Sequence, residues 1–248
     1  MSKTVIVTGA SKGIGAVTAE IAGARGWTVC VNYRSDEAGA RQIAEAIKAA
    51  GGEAFVVQGD VAEEKDVLRL FQTVDRECGR LDGLVNNAGI LEQQMRLDQM
   101  SADRLARVFA INITGAFLCA REAVRRMSTA HGGQGGVIVN VSSAAARIGS
   151  PFEYIDYAAS KGALDTLTLG LSKEVAAEGI RVNAVRPGLI YTDIHAAGGE
   201  PGRVDRLGAT VPMGRGGTAE EVALAIMWLM SDEARYCTGT LLDVAGGR

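Results

Sequence analysis

Four cysteines, four prolines and two histidines among 248 residues leave several chemistries with little material. Cys30, Cys78, Cys119 and Cys237 are widely scattered and form no CxxC pair, which argues against a disulfide framework or a zinc cluster. Cys30 and Cys119 sit in apolar surroundings and read as small core residues. Neither His131 nor His195 has a ligand-spaced neighbour, so both read as loop residues and no metal site is expected. Excess charge is also missing. Lys and Arg number 26 against 29 Asp and Glu, a net charge of −3, so no basic field points to nucleic acid or to an anionic membrane. There is no run of about 18 apolar residues to span a bilayer. Met1-Ser2-Lys3 runs directly into a strand-like segment, leaving no room for a signal peptide, and a cytoplasmic location is expected.

Apolar residues are plentiful, at 47%, and they are organised. β-Branched runs at 4–8, 28–32, 54–58, 83–86, 136–141, 181–186 and 240–244 alternate with amphipathic segments near 13–25, 37–50, 63–78, 102–127, 154–178 and 219–230. Continuous apolar strands alternating with helices predict a parallel sheet covered on both faces. No linker, repeat or composition break divides the chain, and the glycine run at 132–136 reads as a loop. The expectation is an α/β fold: one doubly wound, Rossmann-type domain over 1–248 with a mainly parallel seven-stranded sheet flanked by helices.

The turn after the first strand reads Thr8-Gly9-Ala10-Ser11-Lys12-Gly13-Ile14-Gly15. Glycines there permit a tight turn and close backbone approach, and the following helix start offers free N–H groups to a pyrophosphate. The spacing is G-x-x-x-G-x-G, and its competing reading is a plain strand-to-helix connection. Where a carboxylate usually meets the ribose hydroxyls of NAD, this chain has Asn32-Tyr33-Arg34-Ser35, with Asp36 and Glu37 beyond. Arg34, with Ser35 beside it and Lys12 in the turn, suits a 2′-phosphate, so NADP(H) is expected in preference to NAD(H), which remains possible. Asp60 ends the third strand, either at the adenine edge or as a helix N-cap.

Tyr157-Ala158-Ala159-Ser160-Lys161 can set a phenol and an ammonium on one helix face. None of the other four tyrosines has a lysine four residues on. A nearby cation favours phenolate, and the expectation is a lowered phenol pKa and a proton donor or acceptor for an alcohol or carbonyl.

These motifs together resemble those of the short-chain dehydrogenases/reductases, in the branch of about 250 residues. The likeness covers essentially the whole chain. It is carried by the glycine turn, Asp60-Val61, Asn86-Asn87-Ala88-Gly89, Asn112, Ser142-Ser143, Tyr157 with Lys161, Arg186-Pro187-Gly188 and Thr192, in that order. Among subgroups the chain is similar to glucose/ribitol-type dehydrogenases and to 3-oxoacyl carrier-protein reductases. The resemblance implies that Tyr157 exchanges the proton, Lys161 lowers its pKa and holds the nicotinamide ribose, Ser143 binds the substrate oxygen, and Asn112 holds a water linking Lys161 to solvent. It places Asn87, Ala88 and Gly89 along the cofactor cleft, and Pro187, Gly188, Ile190 and Thr192 at the nicotinamide. Ser142 is an adjacent rival for Ser143, which could instead cap its loop, and Asn112 could be an ordinary polar helix residue. From Ser143 to Tyr157 is one residue longer than the commonest family spacing, and the loop at 149–156 is where the extra residue is expected.

The implied reaction is hydride transfer between nicotinamide and a carbonyl or secondary alcohol of a small substrate. The alternatives are an NADP-binding redox sensor without turnover and a sugar-nucleotide epimerase, which normally needs a longer C-terminal region. The segment at 193–215 is the expected substrate loop, with glycines suited to a mobile lid. Arg203 and Arg206 in it suit an anionic substrate or are surface charges, the reading favoured here, and His195 is a candidate pocket residue. Family habit also implies a homotetramer formed through the helices at 102–127 and 154–178 and the last helix and strand.

Overall fold

In a computed structural model, residues 2–248 are described. They form β1 (Thr4–Val7), α1 (Gly13–Ala24), β2 (Thr28–Tyr33), α2 (Glu37–Ala49), β3 (Glu53–Gln58), α3 (Glu64–Cys78), β4 (Gly83–Asn86), α4 (Ala102–Phe109) and α5 (Gly115–Met127). There follow β5 (Gly136–Val141), α6 (Ala145–Ile148), α7 (Ile155–Val175), β6 (Ile180–Pro187), α8 (Ile194–Ala197), α9 (Arg203–Gly208), α10 (Ala219–Met230) and β7 (Leu241–Val244). The seven strands pair in the order β3-β2-β1-β4-β5-β6-β7, and every pairing is parallel. The sheet is therefore wholly, not just mainly, parallel.

Strand composition explains the layering. The four residues of β1 and the four of β4 are all buried, which requires cover on both faces. On one face Val5, Val29 and Val85 pack with α1, α2 and α10 through Ala19, Ile47, Ile226 and Met230. On the other Ile6, Leu84 and Ile138 meet α3, α5 and the end of α7 through Phe71, Cys119 and Val175. Local signals set the helix ends. Thr218 and Glu221 form a reciprocal capping box on α10, and Gly79 closes α3 at φ 70°. No helix among the described residues is long and apolar enough to cross a membrane.

One helical expectation needs correction. The segment at 102–127 is not one regular helix, because residues Ala110–Thr114 between α4 and α5 form a π turn. Such single-turn wide segments re-aim side chains and leave local backbone groups for other partners. Here the side chain re-aimed is that of Asn112.

Candidate active site

The strand order reverses between β1 and β4, which opens a crevice beyond their carboxyl ends. Gly9 and Gly13 in the turn above β1 adopt φ 61° and 60°, where a side chain is strained. A Cβ on Gly9 would come within 3.0 Å of the Ala88 backbone, and one on Gly15 within 2.7 Å of the Gly9 carbonyl. The turn is thus clamped against the loop after β4. The Asn87 side-chain amide donates to the Thr8 and Gly9 carbonyls at 2.8 and 3.0 Å, and the Thr8 hydroxyl accepts from Asn87 and Ala88 N–H. Asn32, buried in β2, accepts from Gly9 N–H and donates to the Val57 and Gly59 carbonyls, tying three strand ends together.

A cleft of about 630 Å³ runs along these strand ends. It is lined by Gly9, Ser11, Lys12, Gly13, Ile14, Arg34, Ser35, Asp60 and Val61, then by Asn87, Ala88, Gly89, Ser143, Tyr157 and Lys161, and by Pro187, Gly188, Ile190 and Thr192. Of the residues picked from sequence, Gly15 and Asn112 lie behind this wall. Gly15 is buried under Asn87, and Asn112 backs Gly89.

At one end, Arg34 is exposed and has a single carboxylate near it, Asp60 at 3.9 Å. Of the acidic residues that follow β2, Asp36 lines the cleft and accepts from Gly39 N–H to cap α2, and Glu37 pairs with Arg41. Asp60 is not the N-cap of α3, the alternative allowed by sequence. Its carboxylate accepts from Ala62 N–H two residues on, and the cap position falls to Glu63.

At the other end the two serines part company. The Ser142 hydroxyl is buried and donates to the Lys161 carbonyl at 3.1 Å. Ser143 Oγ accepts from Ala145 N–H at 3.1 Å and lines the cleft with Tyr157, so it both caps its loop and faces the cleft. Lys161 Nζ donates to the Val141 carbonyl at 2.8 Å and lies 5.5 Å from the Tyr157 ring centroid. Asn112 accepts from Ile90 N–H and donates to the Ile90 carbonyl and to Ser160 Oγ, itself bonded to the Tyr157 carbonyl. The expected lowering of the phenol pKa is not found: burial pushes Tyr157 up to about 12, with the Ser143 hydroxyl opposing it. Burial also brings Lys161 down to about 8, against the pull of Asp165. The Lys161 ammonium is turned toward the Val141 carbonyl. The phenol therefore rests protonated.

The family model described as enoyl-(acyl carrier protein) reductase matches residues 9–248. The uncharacterized oxidoreductase YgfF of Escherichia coli is 57% identical, over 98% of each chain. The 3beta-hydroxysteroid dehydrogenase 1 of Eggerthella lenta is 44% identical over 99% of this chain and 93% of its own. The chain is a short-chain dehydrogenase/reductase. Among solved structures, the 3-ketoacyl-(acyl-carrier-protein) reductase of Brucella melitensis complexed with NADH superposes with a TM-score of 0.91 at 31% identity, covering 99% of this chain and 98% of that one. Membership makes the protein an oxidoreductase of the dehydrogenase class acting on CH–OH groups.

In this short-chain dehydrogenase/reductase the remaining wall of the cleft comes from the 149–156 loop and the 193–215 segment. Ser150 and Phe152, neither of them glycine, sit at φ 44° and 64°, so the longer loop carries backbone strain of roughly 1–3 kcal/mol per residue. Arg203 is not the surface charge favoured from sequence. It is 5% exposed, forked onto Glu153 at 2.6 and 2.9 Å, paired with Glu200 at 3.0 Å and placed over the Tyr154 ring. Arg206 is exposed but also engages Glu200. His195 is a buried wall residue, held by Nε2 on the Ile190 carbonyl, and burial lowers its pKa. The sequence reading missed Tyr154, Ser150, the Glu92–Arg107 pair at the rim and Arg248. None carries a spacing signal: Arg107 reaches the cleft from α4, and the others reach it by a loop or a chain end.

Proposed function

We propose that the protein is an NADP(H)-dependent oxidoreductase that moves hydride between nicotinamide and a carbonyl or secondary alcohol, with Tyr157 as acid and base. The observation that carries this reading is the convergence of Ser143, Tyr157 and Lys161 on one cleft, with Lys161 Nζ 5.5 Å from the Tyr157 ring centroid. A phenol held protonated is suited to give its proton to a carbonyl oxygen as that oxygen becomes an alkoxide. Ser143 donates to the same oxygen in the manner of an oxyanion donor. Lys161, backed by Asn112 and Ser160, supplies positive charge beneath the phenolate left behind. In the oxidative direction the same atoms act in reverse.

The glycine turn fits a dinucleotide pyrophosphate, because its positive-φ glycines and tight contact with Ala88 leave main chain, not side chains, facing the cleft. Bound there, the cofactor supplies or accepts the hydride. Arg34 and Lys12 favour the 2′-phosphate form, supported by the use of Asp36 in the α2 cap and of Glu37 in a pair with Arg41. Pro187, Gly188, Ile190 and Thr192 would hold the nicotinamide, and Asp60 and Val61 the adenine. Tyr157→Phe is expected to lower NADPH-dependent turnover about 10³-fold while NADPH still binds. Turnover that survives the change intact refutes the assignment of Tyr157.

Assembly as a homotetramer is part of the same reading. Phe117 on α5, Leu169 on α7, and Leu224 and Trp228 on α10 leave apolar surface exposed. Sedimentation at micromolar concentration should show four copies, and a lone monomer would defeat it.

A further inference from the structure

Residues 245–248 are tied down on either side of the C-terminal strand, and Arg248 reaches the cleft. Ala245 packs on Gly188, where a Cβ would come within 2.8 Å of the Ala245 backbone. Gly246 accepts from Met213 N–H, and a main-chain oxygen of Arg248 accepts from Arg147 on α6 at 2.7 Å. Arg248 is thereby set into the wall that also holds Ser143, Ser150, Tyr154 and Arg203.

The other arginines around this wall are matched. Arg203 and Arg206 face Glu153 and Glu200, and Arg147 and Arg186 face Asp243 and Asp165. Arg107 faces Glu92. Among the described residues no Asp or Glu side chain lies at ion-pair distance from Arg248, whereas the other arginines of this wall each have one. Partial burial and the nearby Arg203 both push its guanidinium below the usual arginine range, with Glu153 opposing them more weakly. A half-buried guanidinium with unfilled donors stands to gain most from an incoming anion that accepts from two of its N–H groups.

We propose that Arg248 is the substrate-recognition cation of this cleft and that it selects carbonyl substrates bearing a carboxylate, that is, oxo acids in preference to their neutral counterparts. This rests on the reductase reading given above and adds the substrate class. Arg203, the cation singled out from the sequence, is instead occupied by Glu153 and Glu200 and serves to hold the wall.

The test compares pyruvate, acetoacetate and levulinate (4-oxopentanoate) with their methyl esters, both as substrates with NADPH and as ligands by saturation-transfer NMR. The parent protein should favour the acid of at least one pair tenfold or more. In Arg248→Met the acid-over-ester ratio of kcat/KM should fall at least tenfold, chiefly through KM, and Arg248→Lys should recover part of it. In the NMR experiment the acid's saturation signal should fall in Arg248→Met and that of the ester should not. Equal handling of acid and ester by the parent, or a ratio unmoved by Arg248→Met, overturns the proposal, as does failure of every acid to bind. Acid binding that depends on Arg248 without NADPH oxidation would uphold this site while refuting the reductase reading.

Discussion

At the glycine-turn end the cleft wall is main chain braced by short buried amides, whereas at the lid end it is loops braced by long charged side chains. Asn32, Asn87 and Thr8 lock the first end through hydrogen bonds to backbone groups at the ends of β1, β3 and β4. Arg203, Glu153 and Glu200 join α9 to the 149–156 loop at the second. A wall of main chain has no slack, and a methyl group is enough to displace it. A wall of ion pairs can open locally, because breaking it exposes little apolar surface. The first arrangement suits an invariant ligand part, and the second a substrate that must enter and leave.

Gly15→Ala should strike hardest at this contrast. Its Cβ would press on Asn87 and the Gly9 carbonyl, so a loss of about 3 kcal/mol in urea-unfolding stability is expected, together with weaker NADPH binding. A methyl tolerated there would mean that the turn is as yielding as the lid. Arg203→Met should cost global stability less, about 1–2 kcal/mol, because the lid end can relax separately and Glu153 is partly exposed. Hydrogen exchange should speed up across 203–208, substrate KM should rise, and NADPH affinity should stay put. An equal loss of protection in β1 and β4 would show that the two ends are one cooperative unit.

Arg34→Ser should lower the NADPH-over-NADH preference about 10–100-fold, the scale of one or two lost charge-assisted hydrogen bonds, leaving the fold intact. An unchanged ratio in cofactor titrations would remove Arg34 from the site.

The smallest effect is a pH slope. Lys161 titrates at about 8 when folded against its usual 10.5, so between those values the unfolded chain holds the extra proton and stability should rise with pH. Tyr157, raised to about 12 from 10, reverses the sign above pH 10. Buried thiols at Cys30 and Cys119 also pull downward near there, so the quantity to read is the stability difference between the parent and Lys161→Met, in urea melts from pH 7.5 to 10. That difference should move in the parent's favour as pH rises. A flat difference would mean that Lys161 is better solvated than its burial implies.

Legibility in the sequence follows the same division. The parallel seven-stranded sheet and the glycine turn were readable because buried parallel strands must be continuously apolar and because positive-φ positions call for glycine. Ser143, Tyr157 and Lys161 were readable as a set by resemblance to a family, and the structure brings them together. The sequence could not say that burial would raise the Tyr157 pKa, because desolvation depends on what the chain folds over the ring. Nor could it reveal the π turn at Asn112, set by partners at Ile90 and Ser160 that are distant in sequence. Arg203 and Arg248 look alike as letters, and only the folded positions of Glu153, Glu200 and Arg147 separate an occupied guanidinium from an available one.

The most direct measurement is a crystal structure of the protein with NADPH. The account predicts the 2′-phosphate between Lys12 and Arg34, the pyrophosphate over the turn from Gly9 to Gly15, and the nicotinamide beside Tyr157 and Ser143, against Pro187–Thr192. A nicotinamide lying away from Tyr157, or a 2′-phosphate turned from Arg34 into solvent, would contradict it.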